Sequence, residues 1–553
     1  MKFIAAFCAL AALSPGADLV LRNGKIVTMD PAAPQVQAMA ITNGKIVARG
    51  TDAQMAREIR PSTKVIDLQG RLAIPGFIEG HGHFTRVGQV KMTLNLRDAR
   101  TWDAIVAMVA AAAKEAKPGE WIVGSGWHQE KWDRRPTPNV NGFPVHDSLS
   151  KVSPNNPVFL THASGHAAFV NAAAMKAAGI TRNTPNPEGG EIMKDAAGNP
   201  TGLMNEKAQA LVGRVVPAPD VEKEIDLAAQ ECISKGITTF EDAGSPADVI
   251  ERFKKRAAEG RLPLRMWVML RPPGDSNELI FRDAARLRMI GYGGDFLTVR
   301  AIKRQIDGAL GTRGAWMLAP YSDMPSTSGF ATEEPADIEK TAKFAIANGY
   351  QLCVHAIGDR ANREVLNLYE RTFQANPDKH DLRWRIEHAQ HLDPADIPRF
   401  AKLGVIAAMQ TIHCTSDAPM VIPRLGEKRA EQGAYVWQSL MRSGAHVSNG
   451  TDAPVEDVDP IPNFYAAVTR KGKDGKAFFP AQKMSRMEAL KSYTVENAYA
   501  AFEESKKGAL KIGMLGDVTV LSKDILTIPE DEIRSARVDY TIIGGKVAYA
   551  RGQ

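Results

Sequence analysis

Ile78-Glu79-Gly80-His81-Gly82-His83, at the end of the apolar run Arg71-Leu72-Ala73-Ile74-Pro75-Gly76-Phe77, decides how the rest of the chain is read. In an extended chain, residues two apart point to the same side. A strand that stays extended to its end therefore projects His81 and His83 together, with Gly82 adding no bulk between them. Two imidazoles aimed at one point suit a zinc-like cation, which accepts histidine nitrogen readily. The bland alternative is two unrelated polar histidines at a strand end, and the downstream residues must decide.

Working outward, apolar runs of strand length recur at 236–240, 264–270, 297–303, 351–355, 383–388, 405–410 and 446–452. Helix-like stretches, 337–347 and 361–374 among them, separate several of these runs. With the opening strand they make eight. Eight strands with helical crossovers predict an α/β fold, a (β/α)8 TIM barrel, whose active site gathers at the C-terminal strand ends. Lys303, His355, His388 and Asp452 end, or nearly end, the fourth, fifth, sixth and eighth strands. Any one of them is explained as well by a satisfied core or surface role. Together with His81 and His83 they give six metal-competent side chains at the active ends, which chance explains poorly.

At 553 residues the chain exceeds one ordinary compact domain. Residues 18–70 read as small all-β structure, with apolar runs flanking Asn23-Gly24 and Asn43-Gly44 as hairpin turns that require positive φ. The C-terminus repeats this texture around Gly544-Gly545. The expectation is a β-sandwich domain made by both chain ends, 18–72 with 505–553, and a barrel over 73–504. One gap, 84–235, is too long for a single crossover and reads as an insertion over the barrel mouth, where specificity resides. It holds a helix-like run at 102–116 and a hairpin around Gly189-Gly190 and Gly198.

Composition sets further bounds. With 44% hydrophobic and 24% charged residues and no low-complexity tract, the chain is a folded globular protein. The net charge of +6 is small for this length, and Lys254-Lys255-Arg256 sits beside Glu251 and Glu259 as a solvated helix face, so nucleic acid is not implied. Lys2, the apolar run 3–13 and the small residues through Ala17 form a short secretory signal pattern, too short to span a bilayer. Residues 1–17 are read as a signal peptide, which makes the product secreted or periplasmic; a miscalled start and a cytoplasmic protein is the alternative. No other stretch resembles a membrane span, so no membrane attachment is expected after its removal. Cys8 lies in the leader, and Cys232, Cys353 and Cys414 are odd in number and widely separated, which favours buried free thiols over a disulfide framework.

Pro75-Gly76-Phe77-Ile78-Glu79-Gly80-His81-Gly82-His83, Lys303-Arg304-Gln305-Ile306-Asp307-Gly308 and His355-Ala356-Ile357-Gly358-Asp359-Arg360 occur in this order. Arg385-Ile386-Glu387-His388-Ala389-Gln390 and Thr451-Asp452-Ala453-Pro454 follow. As an ordered set they resemble the amidohydrolase superfamily, in the branch called amidohydrolase family 3 or YtcJ-like. The resemblance implies one or two divalent ions, zinc being the natural choice, with His81 and His83 on one and His355 and His388 on the other. Lys303 would bridge as N6-carboxylysine, and Asp452 would ligate the first ion and act as general base toward a metal-activated hydroxide. Glu79 and Gly82 stand where relatives often have Asp and Thr, and neither change removes a ligand.

The implied reaction is hydrolysis of an amide, N-acyl or N-formyl C–N bond in a small molecule. Hydrolysis of a lactone or ester, or deamination, are alternatives on the same scaffold; Gly358, three residues after His355, and the bridging Lys303 argue against deamination. A catalytically inactive binding protein is the remote alternative, opposed by retention of all six candidates. His166, in Ala163-Ser164-Gly165-His166, resembles a family motif and is a candidate for substrate contact. Glu206 and Arg313 are candidates to orient a polar substrate, although structural hydrogen bonds explain them as well. Trp127 is a candidate pocket wall or a packing residue. Relatives make a homo-oligomer plausible; the substrate is not legible.

Overall fold

The computed structural model describes residues 16–552 except Pro219, so the expected leader, with Cys8, lies almost wholly outside the described residues. Eight strands stand side by side in chain order: β1 (Phe77–Gly82), β2 (Ile237–Ser245), β3 (Arg265–Leu270), β4 (Leu297–Gln305), β5 (Gln351–Ala356), β6 (Arg385–His388), β7 (Ile406–Met409) and β8 (Val447–Asn449). Every neighbouring pair is parallel. β3 and β5 are buried at every position, which is why they read as unbroken rather than alternating apolar runs. Helices such as α1 (Val221–Ser234) and α2 (Asp359–Gln374) cover the outside, so the expected parallel barrel is present.

The barrel is nearly, not fully, closed by ladders. Among the described residues no strand ladder joins β8 to β1. Asn497 closes that seam: its amide donates to Ile78 O at 2.6 Å and Asn449 O at 2.8 Å, and its side-chain oxygen accepts from Asn449 N at 3.0 Å. Gly80 makes the room, because a Cβ there would lie 2.5 Å from Asn449 O and 2.6 Å from the Asn497 amide oxygen. Asn497→Ala leaves these backbone groups dry and unpaired, which costs about 1–3 kcal/mol. Thermal denaturation should show a melting point several degrees lower; an unchanged midpoint would mean that the seam does not depend on this side chain.

The two chain ends meet in one sheet. Its order is Lys546–Ala550, Val538–Ile543, Val518–Leu521, Leu72–Pro75, Lys25–Val27 and Gln35–Val36. A four-stranded sheet of Lys45–Gly50, Ala38–Thr42, Leu19–Arg22 and Lys64–Asp67 accompanies it, and Leu21, Ile26, Ile41, Val520 and Ile542 share a core with both. The opening apolar run therefore divides at Gly76: Leu72–Pro75 belongs to the terminal sheet and Phe77–Gly82 to the barrel. Only glycine fits at that junction, since a Cβ would fall 2.2 Å from Thr238 Oγ1.

Asn43-Gly44, with φ of 51° and 76°, joins two antiparallel strands as expected. Asn23-Gly24 does not. Leu19–Arg22 and Lys25–Val27 lie in different sheets, and the turn passes the chain between them. Lys25 N bonds Arg71 O at 3.0 Å and Gly24 N bonds Gln37 O at 3.0 Å, so partners distant in sequence satisfy the backbone that a hairpin would have paired.

Between β1 and β2 the insertion forms a six-stranded sheet, including Ile122–Trp127, Val158–His162 and the hairpin Gly190–Lys194/Pro200–Glu206, with helix Trp102–Glu115 against it. Its own core contains Trp102, Trp127, Trp132, Leu160 and Phe169. Cys232, Cys353 and Cys414 are buried free thiols. No helix among the described residues is long and apolar enough to cross a membrane.

Candidate metal centre and its cavity

A cavity of about 320 Å³ opens at the C-terminal strand ends. His83, Lys303, His355, His388 and Asp452 line its floor, and His128, His162, His166 and Glu206 of the insertion line its roof. His81 sits just beneath the floor, 1% exposed.

The strand ends bring three ligand-competent groups together. Potential ligand atoms of His81, His388 and Asp452 all lie within 4.8 Å of one another, and all three residues are buried. Asp452 Oδ1 is 3.5 Å from His81 Nε2 and 3.2 Å from His83 Nε2, so the two histidines of the opening stretch do face one carboxylate. His355 stands beside this group, its ring centroid 4.5 Å from that of His388. His388 and Asp452 adopt φ of 76° and 56°, the left-handed region that side chains rarely occupy. Strain of this kind concentrates where the surroundings force a side chain into a working position.

Each histidine of the cluster is held from behind. Glu387 Oε2 takes the Nδ1–H of His81 in a very short contact. Gln410 Oε1 accepts from His388 Nδ1 at 2.7 Å, and the Gln410 amide is fixed by its own bond to Ala408 O at 3.0 Å. Acceptors on both Nδ1 atoms leave both Nε2 atoms with free lone pairs. Glu387 is ionised because Arg385 and His81 outweigh its burial and hold its carboxyl well below the usual range. Burial would raise Asp452, but the His81 and His83 imidazoles beside it hold it far below the usual carboxylate value. Burial also drives the His355 and His388 imidazoles well below their ordinary value, so both are neutral, as ligands must be.

Among the buried side-chain atoms without a hydrogen-bond partner are His81 Nε2, His355 Nε2 and Asp452 Oδ1. Imidazole nitrogens and a carboxylate oxygen are a donor set that zinc accepts, so the residues fit a divalent ion. The tight group of His81, His388 and Asp452 cuts across the expected partition of His81 with His83 and His355 with His388. Lys303 lies on the same floor, 2% exposed, and burial lowers its ammonium to about 8.

The remaining candidates separate. His166 hangs from the roof with Nδ1 3.0 Å from Glu206 Oε2 and its ring 5.6 Å from that of His355. Glu206 itself has φ of 49°. Trp127 is not on the cavity wall: it is fully buried in the insertion core, with its indole donating to Leu160 O at 2.8 Å. Arg313 is not on the wall either, and pairs with Asp323 at 2.9 Å. Aromatic and basic character alone do not distinguish a wall from a core or a surface pair. Asp307 and Asp359 fix loops: Asp307 accepts from Ile357, Gly358 and Trp316 backbone N–H groups at 3.0, 2.8 and 2.9 Å, and Asp359 accepts from Leu318 N at 2.7 Å. The sequence reading missed Glu387, Gln410, Glu241 and Arg86; the first stands one residue before His388, inside the Arg385–Gln390 motif, with nothing in the sequence to mark it as interior.

Comparison with known proteins agrees with this geometry. Residues 64–549 match the family described as "Amidohydrolase family". The chain is 32% identical to the putative amidohydrolase YtcJ of Bacillus subtilis (strain 168), over 96% of this chain and 99% of the relative. It is 26% identical to an N-substituted formamide deformylase of Arthrobacter pascens, over 97% and 98%. Among solved structures, an uncharacterized metal-dependent hydrolase from Pyrococcus horikoshii superposes with a TM-score of 0.74 at 25% identity, over 93% of this chain and 99% of that one. A barrel with histidines and an aspartate at its strand ends, matched over nearly its whole length, places the chain in the amidohydrolase family, to which it belongs.

Proposed function

We infer that the chain hydrolyses the C–N bond of a small N-acyl or N-formyl amide. The observation that carries this reading is the convergence of His81, His388 and Asp452, buried yet with unused ligand atoms, at the floor of a roofed cavity. Full-length similarity to a protein named for deformylating N-substituted formamides supports the bond type. When bound there, a divalent cation such as Zn2+ supplies Lewis acidity and makes water acidic enough to ionise near neutral pH. The chain's own residues prepare the rest. Glu387 and Gln410 hold the imidazoles of His81 and His388 with Nε2 free. Asp452, ionised over the neutral range, accepts the proton of the attacking water and returns it to the leaving amine. His166, whose proton affinity Glu206 raises despite burial, meets the substrate from the roof. Lys303, with its lowered ammonium, is the residue to carry a carbamate as N6-carboxylysine where two ions bind.

The test is hydrolysis of matched N-acyl and N-formyl amides and the corresponding esters by as-purified, chelator-stripped and zinc-restored protein. Amide turnover should vanish on stripping and return with zinc. The restored protein should also melt higher, by the equivalent of about 2–3 kcal/mol at a hundredfold excess of metal over its dissociation constant. Turnover of esters or lactones alone would replace the amide reading with an esterase, and no metal-dependent turnover of either set would sink it.

A further inference from the structure

Arg86 lies on the short helix Phe84–Gln89 that begins immediately after His83, and it lines the cavity. Among the described residues no carboxylate pairs with its guanidinium and no acceptor receives a hydrogen bond from it; burial lowers its proton affinity, with Asp452 opposing this and Arg271 adding to it. The head reaches the roof: a Cβ at Gly165, which has φ of +74°, would lie 3.2 Å from both Nη atoms. A glycine in the roof turn thus leaves the space that the guanidinium occupies.

The neighbouring charges on the wall are already engaged. Arg271 pairs with Asp275 at 2.8 Å, Glu206 with His166 at 3.0 Å, Glu333 with Arg304 at 2.7 Å, and Asp417 accepts from Tyr435 Oη at 2.6 Å. Lys131, Lys207 and Lys303 join Arg86 as lining cations outside any ion pair, against Glu206, Asp417, Asp452 and Glu456 as lining acids without a lysine or arginine partner. The Arg86 guanidinium is half-buried and without a partner, and its planar fork matches a carboxylate with two parallel hydrogen bonds.

We propose that Arg86 binds an anionic group of the substrate, so that the amide cleaved here carries a carboxylate beside the scissile bond. The reaction part of this rests on the function inferred above; the recognition part does not. A panel of N-formyl amino acids and their decarboxylated counterparts (N-formyl-leucine against N-formyl-isopentylamine, for example) separates the two. The zinc-loaded wild type should favour the acids in kcat/KM by about 10- to 100-fold, the size of one charge-assisted contact. Arg86→Met should bring that ratio close to one, chiefly through KM for the acids, and Arg86→Lys should restore part of it. Calorimetric titration with the same acids should show the same loss of affinity in Arg86→Met, whether or not they are cleaved.

Binding that depends on Arg86 without cleavage would keep the recognition and remove the inferred reaction. Cleavage of the neutral amides at least as well as the acids would remove the recognition and keep the reaction. An Arg86→Met protein that melts lower and loses acids and neutral amides equally would assign Arg86 a structural role and overturn the proposal.

Discussion

Asp452→Asn is expected to lower kcat on the best amide substrate by about 10²–10⁴-fold, the usual contribution of a positioned general base. The change keeps the shape of the side chain and removes its charge. An amide cannot accept the proton of an attacking water, and it removes the negative charge that Asp452 Oδ1 places 3.5 and 3.2 Å from the Nε2 atoms of His81 and His83. Bound metal per chain, read by elemental analysis, should fall with it, because one of the three convergent ligand groups is lost. The left-handed backbone at this position suits Asn as well as Asp, so the fold should persist and circular dichroism should match the wild type. A variant with kcat within tenfold of wild type would show that the reaction centre lies elsewhere.

Arg385→Met is expected to destabilise the protein by about 3–5 kcal/mol, the range for breaking a buried charge network from one side. Arg385, Glu241 and Glu387 are each 0% exposed inside the barrel. Arg385 donates to Glu387 Oε1 at 2.7 Å and to Gly80 O at 2.7 Å, and makes a very short contact with Glu241 Oε2. The two acids differ: burial pushes Glu241 up to about 8 against the pull of Arg385, whereas Glu387 stays ionised. One guanidinium thus balances one carboxylate and hydrogen-bonds a second, largely protonated, acid. Removing it strands the Glu387 charge and loosens the hold of that carboxylate on His81. The melting temperature should drop markedly, and metal affinity should fall even where the protein remains folded. Replacing all three residues by apolar side chains of similar volume should recover much of the stability and none of the metal affinity. Equal stability of Arg385→Met and wild type would refute the network.

The barrel was legible because parallel strands with both faces buried appear as short apolar runs between turn residues, and all eight runs are strands. Histidines, a lysine and an aspartate at the ends of those runs were legible for the same reason. How they group was not. Strict alternation sends Glu387 and His388 to opposite faces, yet both meet His81, because the chain turns over at His388 with φ of 76°. Nor does the sequence mark Arg385 and Glu387 as interior, since alternating charges on a strand read equally well as a solvent face. Asn23-Gly24 carried the same turn signal as Asn43-Gly44 but crosses between sheets, a choice made by distant partners at Gln37 and Arg71. Trp127 read equally as a wall or a packing residue; its indole bond to Leu160 O, invisible in the sequence, decides for the core.

The closure of this molecule also sets the order in which a ribosome can complete it. Leu72–Pro75 lies between Lys25–Val27 and Val518–Leu521, and the barrel seam waits for Asn497. A nascent chain that has emitted all eight barrel strands still exposes one open edge at β1 and another along the N-terminal sheet until its last tenth appears. Contacts of such long sequence separation form slowly, and unpaired edges are what aggregation and chaperones act on. Translation of Asn497 and then of the C-terminal strands therefore completes first the barrel seam and then the terminal sheet, and a truncation before Asn497 that spares every catalytic candidate would leave both unfinished.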